Sequence, residues 1–119
     1  MAVAIDVKEL SPVTLTRRRG AEAFGSLQAR LGQQDRGVGI DLDSTEMLSA
    51  SFLDELILRL AEHDLLKKVA FVTREPQTIR KLGIISHERK LTVFLRTSDT
   101  RLVSVAPLAR SMATPHQDK

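Results

Sequence analysis

The chain has 119 residues, 42% of them hydrophobic and 28% charged, with a formal net charge of +3 and no cysteine. That length and balance suit one globular domain large enough to bury a core without staples. The missing cysteine excludes disulfides, thiolate zinc sites and cysteine nucleophiles, and four Phe without Tyr or Trp weaken any reading that stacks rings on bases.

No run approaches the roughly 18 apolar residues that span a bilayer. Residues 1–10 carry Asp6, Lys8 and Glu9 and lack a signal-peptide core. A soluble, cytoplasmic protein with no membrane partner is expected. The domain is expected to span residues 1–112, with a disordered polar tail at 113–119.

Ala2 to Val7 alternates weakly and predicts a strand at a sheet edge. Pro12 ends it, and Val13-Thr14-Leu15-Thr16 is a second β-like run that could pair with it as a hairpin. Arg17-Arg18-Arg19-Gly20 then leads into a helix over 20–31, whose apolar stripe is Ala23, Phe24, Leu27 and Leu31. Gly32 suits the position just past that helix. Some of the arginines, unfavourable at a helix start, are expected to point back over the sheet.

The chain is organised around Gly37 to Leu66. Val38 to Leu42 predicts a central strand. Asp41 within it is either a functional carboxylate at a strand end or the polar phase of the strand, and the second reading is favoured. Asp43 to Ser49 forms a polar elbow, with Met47 and Leu48 folded under it. Ser51 looks like the helix N-cap, with Asp54 three residues on as an approximate capping box; Ser49 is the alternative cap. The helix, spaced over Ser51 to Leu66, places Phe52, Leu53, Leu56, Ile57 and Leu60 on its core stripe. Leu58 and Leu65 project away from that stripe, as scattered surface leucines or as an apolar strip for docking a partner.

Val69 to Thr73 predicts a buried strand, and Pro76 suits the first position of the following helix. That helix stops at Gly83 or, as preferred, runs to about Lys90. Leu91 to Arg96 is another strand, Thr97 to Thr100 a turn, and Arg101 to Ala106 a hairpin partner.

Catalysis has little to stand on. The sequence holds no phosphate loop, dinucleotide fingerprint or nucleophile elbow. His63, His87 and His116 have no metal-ligand spacing and are expected to be solvated. Asp41, Asp43 and Glu46 do not follow a calcium-loop spacing. No enzyme activity, cofactor or metal is expected. The elbow can instead act as a switch: a hydroxyl at the positive end of a helix is well placed for phosphorylation, which would add charge to a contact surface.

A strand reading Val38-Gly39-Ile40-Asp41-Leu42, an elbow, and then S-x-S-F-x-D-E-L opening a helix resembles the STAS fold of anti-sigma-factor antagonists. The match is nearest an uncharacterised STAS-like branch in which that signature recurs, and here it is carried by Ser49, Ser51, Phe52, Asp54, Glu55 and Leu56. The resemblance covers roughly residues 20–96. It implies an α/β fold, a mixed β-sheet with helices packed against it. It also implies a bacterial signal-transduction module in transcription regulation that binds a GHKL-type anti-sigma kinase and is released by phosphorylation. The family's phosphoacceptor position falls on Ala50, so the resemblance leaves Ser49 and Ser51 as shifted acceptors, or no phosphate switch. The partner surface expected on this basis comprises Asp43, Ser44, Thr45, Glu46, Ser49, Ser51, Asp54, Glu55 and Leu58, on a monomer or weak homodimer. The rival reading is a nucleic-acid-binding protein using Arg17–Arg19 and Lys67–Lys68.

Overall fold

A computed structural model describes residues 3–31, 37–45, 47–97 and 103–105. Its frame is a five-stranded sheet with strands in chain order: β1 (Val3–Asp6), β2 (Val38–Asp41), β3 (Val69–Val72), β4 (Val93–Arg96) and β5 (Val103–Val105). The first four run parallel, with Val3 opposite Val38 and Val38 opposite Val69. The fifth is antiparallel to β4, Val93 facing Val105. This is a mixed sheet in an α/β fold, with β1 at an edge and β2 inside, as the apolar runs predict. Of the 101–106 run, residues 103–105 pair antiparallel with the last parallel strand.

A short helix α1 (Val7–Leu10) and a longer α2 (Arg17–Leu31) join β1 to β2; α3 (Ala50–Glu62) joins β2 to β3, and α4 (Pro76–Arg89) joins β3 to β4. Strand order always advances in one direction, so right-handed crossovers place α2, α3 and α4 on one face. Burial agrees. Val38, Ile40, Val69, Phe71, Val93 and Leu95 are buried on alternate positions, whereas Asp41, Val72, Phe94 and Arg96 on the opposite phase are only half-buried. On that second face the Arg96 guanidinium lies across Gly39, where a Cβ would stand 2.6 Å from Nη2.

The core follows the helical spacing closely. Phe52, Leu53, Leu56, Ile57 and Leu60 are all buried to 0% exposure, as the stripe on α3 requires. Gly20 lets α2 approach α3: a Cβ there would sit 2.6 Å from the Phe52 carbonyl oxygen. Pro76 occupies the start of α4, which runs its longer course to Arg89 and ends on Lys90 in the left-handed region, φ 58°.

Three expectations are corrected. Val13 to Thr16 is not a strand and forms no hairpin with β1, whose partner is β2; the run is spent against the elbow instead. The arginine run is not a lead-in but the first turn of α2, and Arg17 reaches across to α3 rather than over the sheet. Helix α3 ends at Glu62 rather than Leu66, because Asp64 turns into the left-handed region, φ 59°, and Leu66–Lys68 forms a separate 3-10 turn. Gly32, the turn at 98–100 and the tail at 113–119 lie outside the described residues.

Candidate functional site

In a parallel sheet every strand hands over to its helix at the same end, so α2, α3 and α4 all begin beside the elbow. Carboxylates build this end. Asp6 caps α1, accepting from the Lys8 N–H at 2.8 Å, and also accepts from the Ser44 hydroxyl. These bonds, the Ser44 hydroxyl first, hold the Asp6 carboxyl below the usual carboxylate range. Asp41, half-buried at the end of β2, takes the Asp43 N–H at 2.9 Å. Asp43 in turn accepts from the Thr73 hydroxyl at 2.6 Å and the Arg74 N–H at 2.7 Å, which ties the elbow to the loop after β3.

The other flank is tied to residues 14–15. The Ser49 N–H donates to the Thr14 carbonyl at 3.0 Å, and the Ser49 hydroxyl to the Leu15 carbonyl at 2.9 Å. The Thr14 hydroxyl lies close to that of Thr45, 3.5 Å away, and donates to the Met47 carbonyl. Lys81 of α4 closes the ring, its Nζ donating to the Leu48 carbonyl at 2.7 Å. The elbow is a fastened platform, held by groups from three parts of the chain.

The N-cap is Ser49, whose hydroxyl accepts from the Phe52 N–H at 3.0 Å with φ −88° and ψ 156°. Ser51, favoured from sequence, is instead the second residue of α3, exposed and with no hydrogen bond to its hydroxyl among the described residues. Asp54 therefore closes no capping box. Its carboxylate, 13% exposed, receives a bidentate pair from Arg89, Nε at 2.9 Å and Nη2 at 2.7 Å, and a third bond from Arg17 at 2.8 Å. The Arg89 guanidinium first, with help from Arg17, holds the Asp54 carboxyl below its ordinary range against the opposing pull of burial, and Arg89 is raised in return. Glu55 pairs with Arg59 at 2.7 Å.

Leu48 folds under the elbow at 7% exposure, but Met47 does not: it is 64% exposed. Leu58 is half-buried, and Leu65 packs against the core, so these two do not make a free strip on α3. The exposed apolar surface beside the elbow is Met47, Val13 and Leu15, which border one shallow groove. The sequence held this signal in the Val13–Leu15 run, read as a strand. Also missed were Lys81 and Thr78, three residues apart on the first turns of α4. They line a polar cleft of about 390 Å³ with Asp43, Thr45 and Glu75. Glu46 and His116 lie outside the described residues.

Elsewhere, the His63 ring rests 4.7 Å from that of Phe24, and its Nδ1 is 2.9 Å from the Arg59 carbonyl. Among the described residues no group of three or more His, Asp or Glu side chains converges as a metal site would require, and no helix is long and apolar enough to cross a membrane.

No protein-family model, curated protein or solved structure matches the chain.

Proposed function

We propose that the protein is a regulatory binding module, STAS-like in the order of its central strand, elbow and helix, that docks a protein partner through the elbow and the first turns of α3 and performs no reaction of its own. The observation that carries this reading is the pairing of a rigidly fastened loop with uncovered apolar side chains: Met47, Val13 and Leu15 are 64%, 38% and 42% exposed on backbone held by the Thr14, Leu15 and Lys81 bonds. A preformed apolar patch binds without first paying for loop ordering.

Ser51 supplies the switch. It is exposed on the groove between α3 and α4, beside Arg17, Lys81 and exposed Ile84. A phosphate there would gain from the start of α3 and from those cations while adding nearly two negative charges to the contact surface. Ser49 is the poorer acceptor, since its hydroxyl both caps α3 and holds Leu15. A GHKL-type kinase is the partner that the family resemblance supports.

Affinity capture from the source cell tests the reading, with the parent chain compared with Met47→Asp, Ser51→Glu and Lys67→Glu, an exposed position at the opposite end of the sheet. The partner should be lost with the first two and kept with the third. Equal recovery by all folded variants would sink the proposed surface, and a captured protein without a GHKL-type ATPase domain would sink the kinase assignment.

The nucleic-acid reading gains nothing from the geometry. Arg17–Arg19 begin α2 at the elbow end, whereas Lys67–Lys68 precede β3 at the opposite end of the sheet, so they form no common surface. Arg17 is bonded to Asp54, Arg18 and Arg19 are paired with Glu22, and Lys67 is paired with Asp64.

A further inference from the structure

We infer that the cleft between the elbow and the start of α4 binds a small zwitterion of the α-amino-acid class. It measures about 390 Å³, within the range of small-molecule sites and well beyond the space of a single ion. It opens at the carboxyl ends of β2 and β3, where α/β sheets present loops and helix ends to ligands.

The decisive residue is Thr78. It is 7% exposed, it lines the cleft, and its hydroxyl has no hydrogen-bond partner among the described residues. A hydroxyl at the cleft wall with no partner in the protein can both donate to and accept from a ligand that enters. Beside it the start of α4 is uncapped: Glu75 at the cap position gives no side-chain bond. Ile79 is the first residue of the turn whose N–H is satisfied, by the Glu75 carbonyl at 3.0 Å. The Gln77 and Thr78 N–H groups are left as donors. Lys81 adds an ammonium that spends one hydrogen on Leu48. Together these groups suit a carboxylate.

The rest of the lining decides between a plain anion and a zwitterion. Asp43 and Glu75 place two carboxylates against the single Lys81 ammonium. Phosphate or a simple acid would meet net repulsion. A ligand carrying its own ammonium beside its carboxylate satisfies both halves. Leu42 and Leu48 are the apolar members of the lining, so a small or polar side chain fits better than a bulky apolar one.

Calorimetry and amide-resolved NMR on the full chain test this, with the proteinogenic amino acids as probes. Inorganic phosphate, the matching deaminated acids and the matching decarboxylated amines form separate arms. Saturable binding of at least one amino acid, with shifts at the Gln77 and Thr78 amides, is expected. Thr78→Val, which keeps the shape and removes the hydroxyl, should weaken it about tenfold. Glu75→Gln, at an exposed position, should weaken the amino acid and spare the deaminated acid, so the inference stays testable if Thr78→Val fails to fold. The inference is overturned if no amino acid binds at millimolar concentration, if phosphate or a one-charge analogue binds as tightly, or if the affinity is unchanged in the folded variants.

Discussion

Two serines a residue apart have different work. Ser49 is fixed on both sides by the Phe52 N–H and the Leu15 carbonyl, while Ser51 is exposed, with no hydrogen bond to its hydroxyl among the described residues. Ser49→Ala should cost about 1 kcal/mol or somewhat more, since a cap and a loop contact go together, whereas Ser51→Ala should stay within about 0.5 kcal/mol of the parent; urea unfolding measures both. The sequence put these roles the other way round for an identifiable reason. Asp54 sits three residues after Ser51 and imitates a capping box, yet its carboxylate belongs to Arg17 and Arg89, residues far off in sequence on helices whose packing no local pattern reveals. Asp54 also sets a pH dependence. Its folded-state pKa lies below the unfolded value, so the native chain binds fewer protons. The resulting stability is present at neutral pH and is lost as the pH falls from the unfolded pKa, about 3.9, through the folded one. Asp54→Asn should lower stability at neutral pH and flatten its acid limb, measured as urea midpoints from neutrality down to about pH 3.

Among the elements, the closest approach is between α2 and α3 at Gly20. An added methyl would meet the Phe52 carbonyl at 2.6 Å and the Glu55 Cβ at 3.0 Å, and neither can swing aside. Gly20→Ala should therefore destabilise by about 1–3 kcal/mol despite the better helix propensity of alanine. Gly39→Ala meets only the mobile end of the Arg96 guanidinium at that distance and should cost less in the same denaturation series. At the end of α4, Lys90 holds a left-handed conformation, φ 58°, that glycine adopts freely. Lys90→Gly should raise stability by about 0.5–1 kcal/mol, read from the thermal midpoint. Helices were the most legible part of the sequence, because a 3.6-residue period reports directly which side is buried: the five core positions of α3 follow from it. The Val13–Thr16 run was misread since alternating β-branched residues also describe an extended segment that lies against a loop. There Thr14 and Leu15 give their carbonyls to Ser49 instead of to a neighbouring strand.

For the whole molecule, the strands could be found singly, but their order could not, since a parallel ladder is set by crossovers that leave no local mark. The elbow was legible as a place and not as a construction. Its polarity showed in Asp43, Ser44 and Thr45, while the fasteners Thr14, Thr73 and Lys81 come from elsewhere in the chain. One consequence of that winding reaches beyond contacts. The three long helices leave the sheet at one end and return at the other, so their peptide dipoles add instead of cancelling. That sum is met by opposite charge, since the carboxylates of Asp6, Asp41 and Asp43 stand at the same pole, so the elbow end is a balanced surface where helix starts and acids hold one another in place.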